Sequence, residues 1–213
     1  MLHHLRRPLP LALTLAFLTA IPILTGLIDV LLIPSGAYPP ESAHLGAAPV
    51  SWFAHALAGV VFGLTGPVQF VRAVRNRFGL LHRVLGLAFV LSGAVLGLSA
   101  LSLLAQVTPQ RTAVVDVARG LFGLALLFAL TKAMVAIRSR EILRHRAWVI
   151  RAYAVGMGLA AVSLVFFPIF LVTGRAPTGL ASDVLFVASW LLSIAIGELV
   201  IRSLSRSSPQ VPA

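Results

Sequence analysis

Apolar positions along this chain come in unbroken blocks, not in the alternation of a half-buried strand or the one-sided stripe of a helix facing water. Six such blocks, near residues 10–33, 50–71, 83–106, 113–137, 147–173 and 181–203, are separated by short polar segments. A helix rises about 1.5 Å per residue, so about 20 residues cross a hydrocarbon layer about 30 Å thick. The pattern predicts an all-α membrane protein, a bundle of six transmembrane helices forming one domain over residues 1–213. The connectors carry turn chemistry: "PSGAYPPESAHLGAAP" is a Pro/Gly loop, "TPQRT" and "GRAPTG" are tight turns, and "RSSPQVPA" is a polar tail. Within the blocks, Pro22 and Pro168 predict kinks, and Gly66 with Pro67 in "LTGPVQFVRAVRNR" ends or bends the second helix near its boundary. The first apolar run is longer than a signal-peptide core and is followed by no clear small-x-small cleavage site, so it reads as a retained helix.

Composition agrees with this pattern and narrows it. Hydrophobic residues make up 59% of the chain and charged residues 11%, more apolar surface than one water-soluble core can hide. A net charge of +11 raises the question of nucleic acid, but that partner needs a solvated basic face, and here the cations fall in clusters between apolar blocks. Fourteen of the 17 Lys and Arg lie in segments 1–10, 72–83, 132–151 and 202–213; only Arg111, Arg119 and Arg175 lie on the other side. By the positive-inside rule both termini are cytoplasmic and the protein spans the inner membrane. The chain has no cysteine, which excludes disulfides, Cys-ligated zinc, iron–sulfur clusters and covalent c-type haem. No phosphate-binding glycine loop, GxSxG or zinc motif is present.

Two segments repeat an arrangement. "RAVRNRFGLLHRVLG" and "IRSREILRHRAWVIR" both run from an Arg-rich loop through His-Arg into an apolar block, although no further duplication supports an inverted-repeat transporter. Ionisable groups inside a bilayer cost about 2.5 to 3.5 kcal/mol each at its centre on insertion scales, so each is a functional candidate. His82 and His145 are candidate ligands for haem b or a metal. Gly86, one turn after His82, clears space, as do Gly93 and Gly97; Trp148 would wall the site and Arg151 would hold a propionate. Gln69 and Glu198 join the same layer, Glu198 alternatively pairing with Arg202. The plainer reading makes His82, His145 and Trp148 interfacial anchors. On the opposite side His55 is a candidate metal ligand whose partners would be His44, Glu41, Asp29, Asp116 or Asp183. Its alternative is close helix packing along the stripe His55, Gly59, Gly63 and Pro67. Asp116 and Arg119, one turn apart, read as an ion pair.

Taken together, the residues His55, Gly66, Pro67, Gln69, Phe70, His82, Arg83, Gly86, His145, Trp148, Arg151 and Glu198 resemble the bacterial membrane family catalogued as domain of unknown function 2306, over about residues 50–203. The sequence departs from that pattern after Arg151, where "VSLVFF" stands in place of a further Leu-Arg pair. The resemblance implies that the two histidines have a role and names no activity. The expected function is a multi-pass membrane protein with a histidine-containing site near the cytoplasmic face, binding haem b or quinone in membrane redox chemistry. The alternatives are a small transporter or channel, and a structural subunit without a cofactor whose basic loops meet anionic lipid or an acidic protein.

Overall fold

A computed structural model describes residues 8–38, 42–107, 112–175 and 177–206, and among these it is helical throughout, without strands. The helices are α1 (Pro8–Leu18), α2 (Ala20–Leu32), α3 (Pro49–Gln69), α4 (Arg72–Arg77), α5 (Gly79–Gln106), α6 (Ala113–Arg138), α7 (Ile142–Gly156), α8 (Gly158–Thr173) and α9 (Gly179–Arg206). Five segments are long and apolar enough to cross a membrane: α3, α5, α6, α7 with α8, and α9. The first apolar block is divided into the shorter helices α1 and α2. Large apolar side chains such as Leu87, Leu91, Leu98, Val117, Leu121 and Leu124 are exposed. In water so wide an apolar surface would drive association, whereas facing lipid tails it costs nothing.

Two helix breaks organise the bundle. The first lies at Thr19, three residues before Pro22, which has no N–H to give to the Leu18 carbonyl. The buried Thr19 hydroxyl donates back to the Leu15 carbonyl at 2.9 Å. The second lies at Met157. The expected kink at Pro168 is not where the fifth span divides, since Pro168 sits inside α8 while the helix is interrupted between Gly156 and Gly158. Carbonyls released at the end of α7 are taken up by α9, where Trp190 Nε1 donates to Val155 O at 2.7 Å and Ser193 Oγ to Ala154 O at 2.8 Å. Both glycines are needed by their neighbours: a Cβ at Gly156 would strike the Phe62 ring, and one at Gly158 would overlap Trp190.

The spans follow one another around the bundle, α2 on α3, α3 on α5, α5 on α6, α6 on α7 and α7 on α9. Beyond the break, α8 turns to α9 and reaches α1 and α2, keeping slight contact with α6 through Val162 near Val115. The consequence is a lopsided interior. Toward the Arg-rich end the core is dense, with Phe62 stacked on Phe89 at 4.4 Å and Tyr153 at 5.9 Å from Phe62. Gly93 admits Phe62 and Leu130, and Gly97 admits Leu127, so these two glycines serve helix packing. Toward the His55 end the same helices splay around a cavity.

Candidate functional site

Helices α5 and α7 each begin a turn earlier than the apolar blocks suggest, at Gly79 and Ile142, because the backbone stays helical through the His82-Arg83 and Arg144–Arg146 interruptions. His82 and His145 are therefore each the fourth residue of a helix. His145 Nδ1 donates to the Ala133 carbonyl of α6 at 2.9 Å. His82 is half-buried, and its Nδ1 is buried without a hydrogen-bond partner. Gln69, the last residue of α3, lays Oε1 3.3 Å from where a Gly86 Cβ would stand, and its Nε2 is likewise buried and unpartnered. The space that Gly86 clears is occupied by this side chain.

Trp148, Arg151 and Glu198 form a separate group. Arg151 Nε donates to Glu198 Oε1 at 2.6 Å and its Nη2 to Oε2 at 2.9 Å, a two-pronged bond that holds α7 to α9. The guanidinium also lies 4.7 Å from the centre of the Trp148 ring, and Trp148 meets Phe128 edge to face at 5.5 Å. Glu198 thus pairs with Arg151 and not with Arg202 as the spacing alone allowed. Arg151 is bonded to Glu198 and the Gly86 face is filled by Gln69, whereas the His145 bond to Ala133 uses Nδ1 and leaves Nε2 as its other ring nitrogen.

The cavity at the His55 end has a volume of about 920 Å³ and is bounded by α2, α3, α5, α6, α9 and the break in the fifth span. Neither His82 nor His145 lines it. Its walls are mostly aliphatic and aromatic, with polar groups at several points. His55 Nδ1 is 3.2 Å from Ser99 Oγ, and the imidazole also has the Leu96 backbone as a hydrogen-bonding neighbour. Asp29 Oδ2 accepts from Trp52 Nε1 at 3.2 Å, and Asp183 Oδ2 accepts from Thr112 Oγ1 at 2.6 Å. Asp116 and Arg119 make the expected i,i+3 pair at 3.4 Å, with the Arg119 guanidinium 5.3 Å from the Phe186 ring centre. Trp190 stacks on Phe122 at 4.3 Å, giving the wall a flat aromatic surface.

Sequence reasoning had grouped His55 with His44, Asp29, Asp116 and Asp183, and all five line this one cavity. Glu41, the remaining partner considered, lies outside the described residues. The chemistry differs from a metal site: each carboxylate has its own donor, and among the described residues no three His, Asp or Glu side chains are arranged to hold a metal ion. Ser99, Trp52, Thr112 and Trp190 were missed. Serine and threonine in apolar helices ordinarily bond their own backbone, as Thr65 Oγ1 does to Val61 O at 2.7 Å, so nothing in their spacing marks them.

A family model described as "Predicted membrane protein (DUF2306)" matches residues 52–201, a stretch that includes His55, His82, His145 and Glu198. No curated protein and no solved structure matches the chain.

Proposed function

The chain belongs to the DUF2306 family of membrane proteins, and from that premise we propose that it binds a lipophilic small molecule with a hydrogen-bonding head, of the quinone class, in the cavity at the His55 end. The observation that carries this reading is the cavity itself. Its roughly 920 Å³ is of the size that houses small organic ligands, and its lining combines apolar surface with a few fixed polar groups. Ser99 holds the His55 imidazole through Nδ1 at the cavity wall, where the ring can meet a ligand oxygen. The Trp190 and Phe122 rings offer a stacking surface for a planar head.

Other readings fare less well on the same geometry. A channel or transporter path would need polar continuity to the Arg-rich end, where Phe62, Phe89 and Tyr153 are packed instead. Haem b between His82 and His145 would have to displace the Gln69 side chain that fills the Gly86 face. With the quinone reading goes an orientation: the Arg-rich end at the cytoplasm, both termini there, and the cavity in the outer half of the inner membrane. The distribution of the cations supports it.

The three tryptophans supply the test. Trp52 and Trp190 line the cavity, while Trp148 lies at the other end. A short-tailed benzoquinone titrated into the detergent-solubilised protein is expected to quench tryptophan emission saturably, at one site per chain. In Trp52→Phe/Trp190→Phe the remaining Trp148 emission is expected to lose that saturable component. Equal, linear quenching in both proteins would overturn the proposal.

A further inference from the structure

The Arg-rich end holds a second feature, independent of the cavity. Helix α4 and the start of α7 bring Arg72 and Arg146 each within electrostatic reach of Arg75, and Arg75 likewise reaches His82. Among the described residues none of these three arginines meets a carboxylate. The two acids on that face are spent elsewhere, Glu141 on Arg144 at 2.9 Å and Glu198 on Arg151. Burial, with Arg146 and Arg72 adding to it, holds the Arg75 guanidinium below the usual arginine pKa. Helix α5 starts after Phe78 with no acidic residue in its first turn, so its positive end adds to the same field.

Uncompensated charge of this kind sits beside two unmet hydrogen-bonding groups. Gln69 Nε2 and His82 Nδ1 are buried without partners, and Gln69 packs on Gly86, one turn along α5 from His82. A buried donor left unmet is costly and rare, which points to a group absent from the chain itself. An anion with several acceptor oxygens would answer both the unmet Gln69 amide and the surplus positive charge. Phe78, Leu80, Leu81 and Val84 are exposed on the same turns of chain, as side chains at a bilayer boundary would be.

We propose that Arg72, Arg75 and Arg146, with Gln69 and His82, bind the phosphate of an anionic phospholipid headgroup at this edge of the bundle. The phosphodiester oxygens accept from the guanidiniums and the Gln69 amide, and the acyl chains lie along the exposed apolar start of α5. Free phosphate offers the same oxygens, but the apolar flank favours the lipid.

Native mass spectrometry of the full chain, released from nanodiscs of equal phosphatidylglycerol and phosphatidylcholine, reads this directly. The wild type is expected to retain one phosphatidylglycerol in preference to phosphatidylcholine. R72Q/R75Q/R146Q is expected to lose that preference by about tenfold or more, given the usual gain per cation at an anionic surface. R77Q/R138Q/R140Q removes the same charge from the same face and is expected to keep it. Gln69→Leu, which leaves every charge in place, is expected to lower retention severalfold. Equal retention in the cluster variant, or equal loss in both triple variants, would overturn the site. Displacement of phosphatidylglycerol by millimolar inorganic phosphate, with a phosphate adduct in its place, would overturn the lipid assignment.

Discussion

Replacing His55 by alanine removes the cavity imidazole that Ser99 holds and leaves Ser99 Oγ with its own-helix bond to the Leu96 carbonyl at 3.1 Å. The fold is expected to tolerate this, while quinone affinity falls about tenfold, the worth of one net hydrogen bond of about 1 to 1.5 kcal/mol. The quenching titration measures it, and unchanged affinity would remove His55 from the site. Arg151 and Glu198 are a different kind of residue, structural and paired. Each side chain is about one-third exposed (32% and 33%), so the bond is worth less than a buried pair and more than a fully solvated one. Glu198→Gln is expected to lower stability by about 1 to 2 kcal/mol, and a double-mutant cycle with Arg151→Gln should return most of it as coupling. At this scale the sequence was informative about charge and uninformative about partners. His55 and its group of acids stood out because ionisable groups are rare in apolar helices, whereas Glu198 had two arginines within plausible reach and only packing chose Arg151.

Breaks in helices are legible where proline makes them and obscure where packing makes them. Pro22 predicts an interruption in the first apolar block, and the chain breaks three residues earlier, as the missing N–H requires. The interruption at Met157 depends on Phe62 and Trp190 occupying the ground beside Gly156 and Gly158, and on Trp190 and Ser193 bonding the freed carbonyls. None of those contacts has a local signature, and Pro168 offers a misleading one. The same limit applied to helix starts, where the His-Arg pairs hid the entry of α5 and α7. If the break shapes the cavity, a Gly156→Ala exchange, pressing on Phe62, should cost about 1 to 3 kcal/mol of stability. Phe62→Leu is expected to restore part of that loss in thermal unfolding; a Gly156→Ala protein as stable as wild type would mean that the break is not held by this packing.

For the molecule as a whole, the apolar blocks and clustered cations settle the class of structure, and the path of α8 decides where the interior is open. Sequence reasoning favoured the His82 and His145 layer because two histidines beside two basic loops resemble a paired site. In the structure His82 and His145 stay within electrostatic reach of each other, Trp148, Arg151 and Glu198 form their own group, and the open volume lies at the opposite end. Because the chain has no cysteine, single cysteines can be introduced without background. Cysteine at Phe78 is expected to react with a membrane-impermeant maleimide only in inside-out vesicles, and cysteine at Tyr38 only in intact spheroplasts; the reverse pattern would invert the orientation. The most direct test of the central claim is photoaffinity labelling with an azidoquinone, followed by peptide mapping of the crosslinks. The account predicts adducts on the cavity walls, within residues 96–107, 112–126 and 177–190, that an excess of unmodified quinone removes. Crosslinks concentrated around His82 and His145 instead would contradict it.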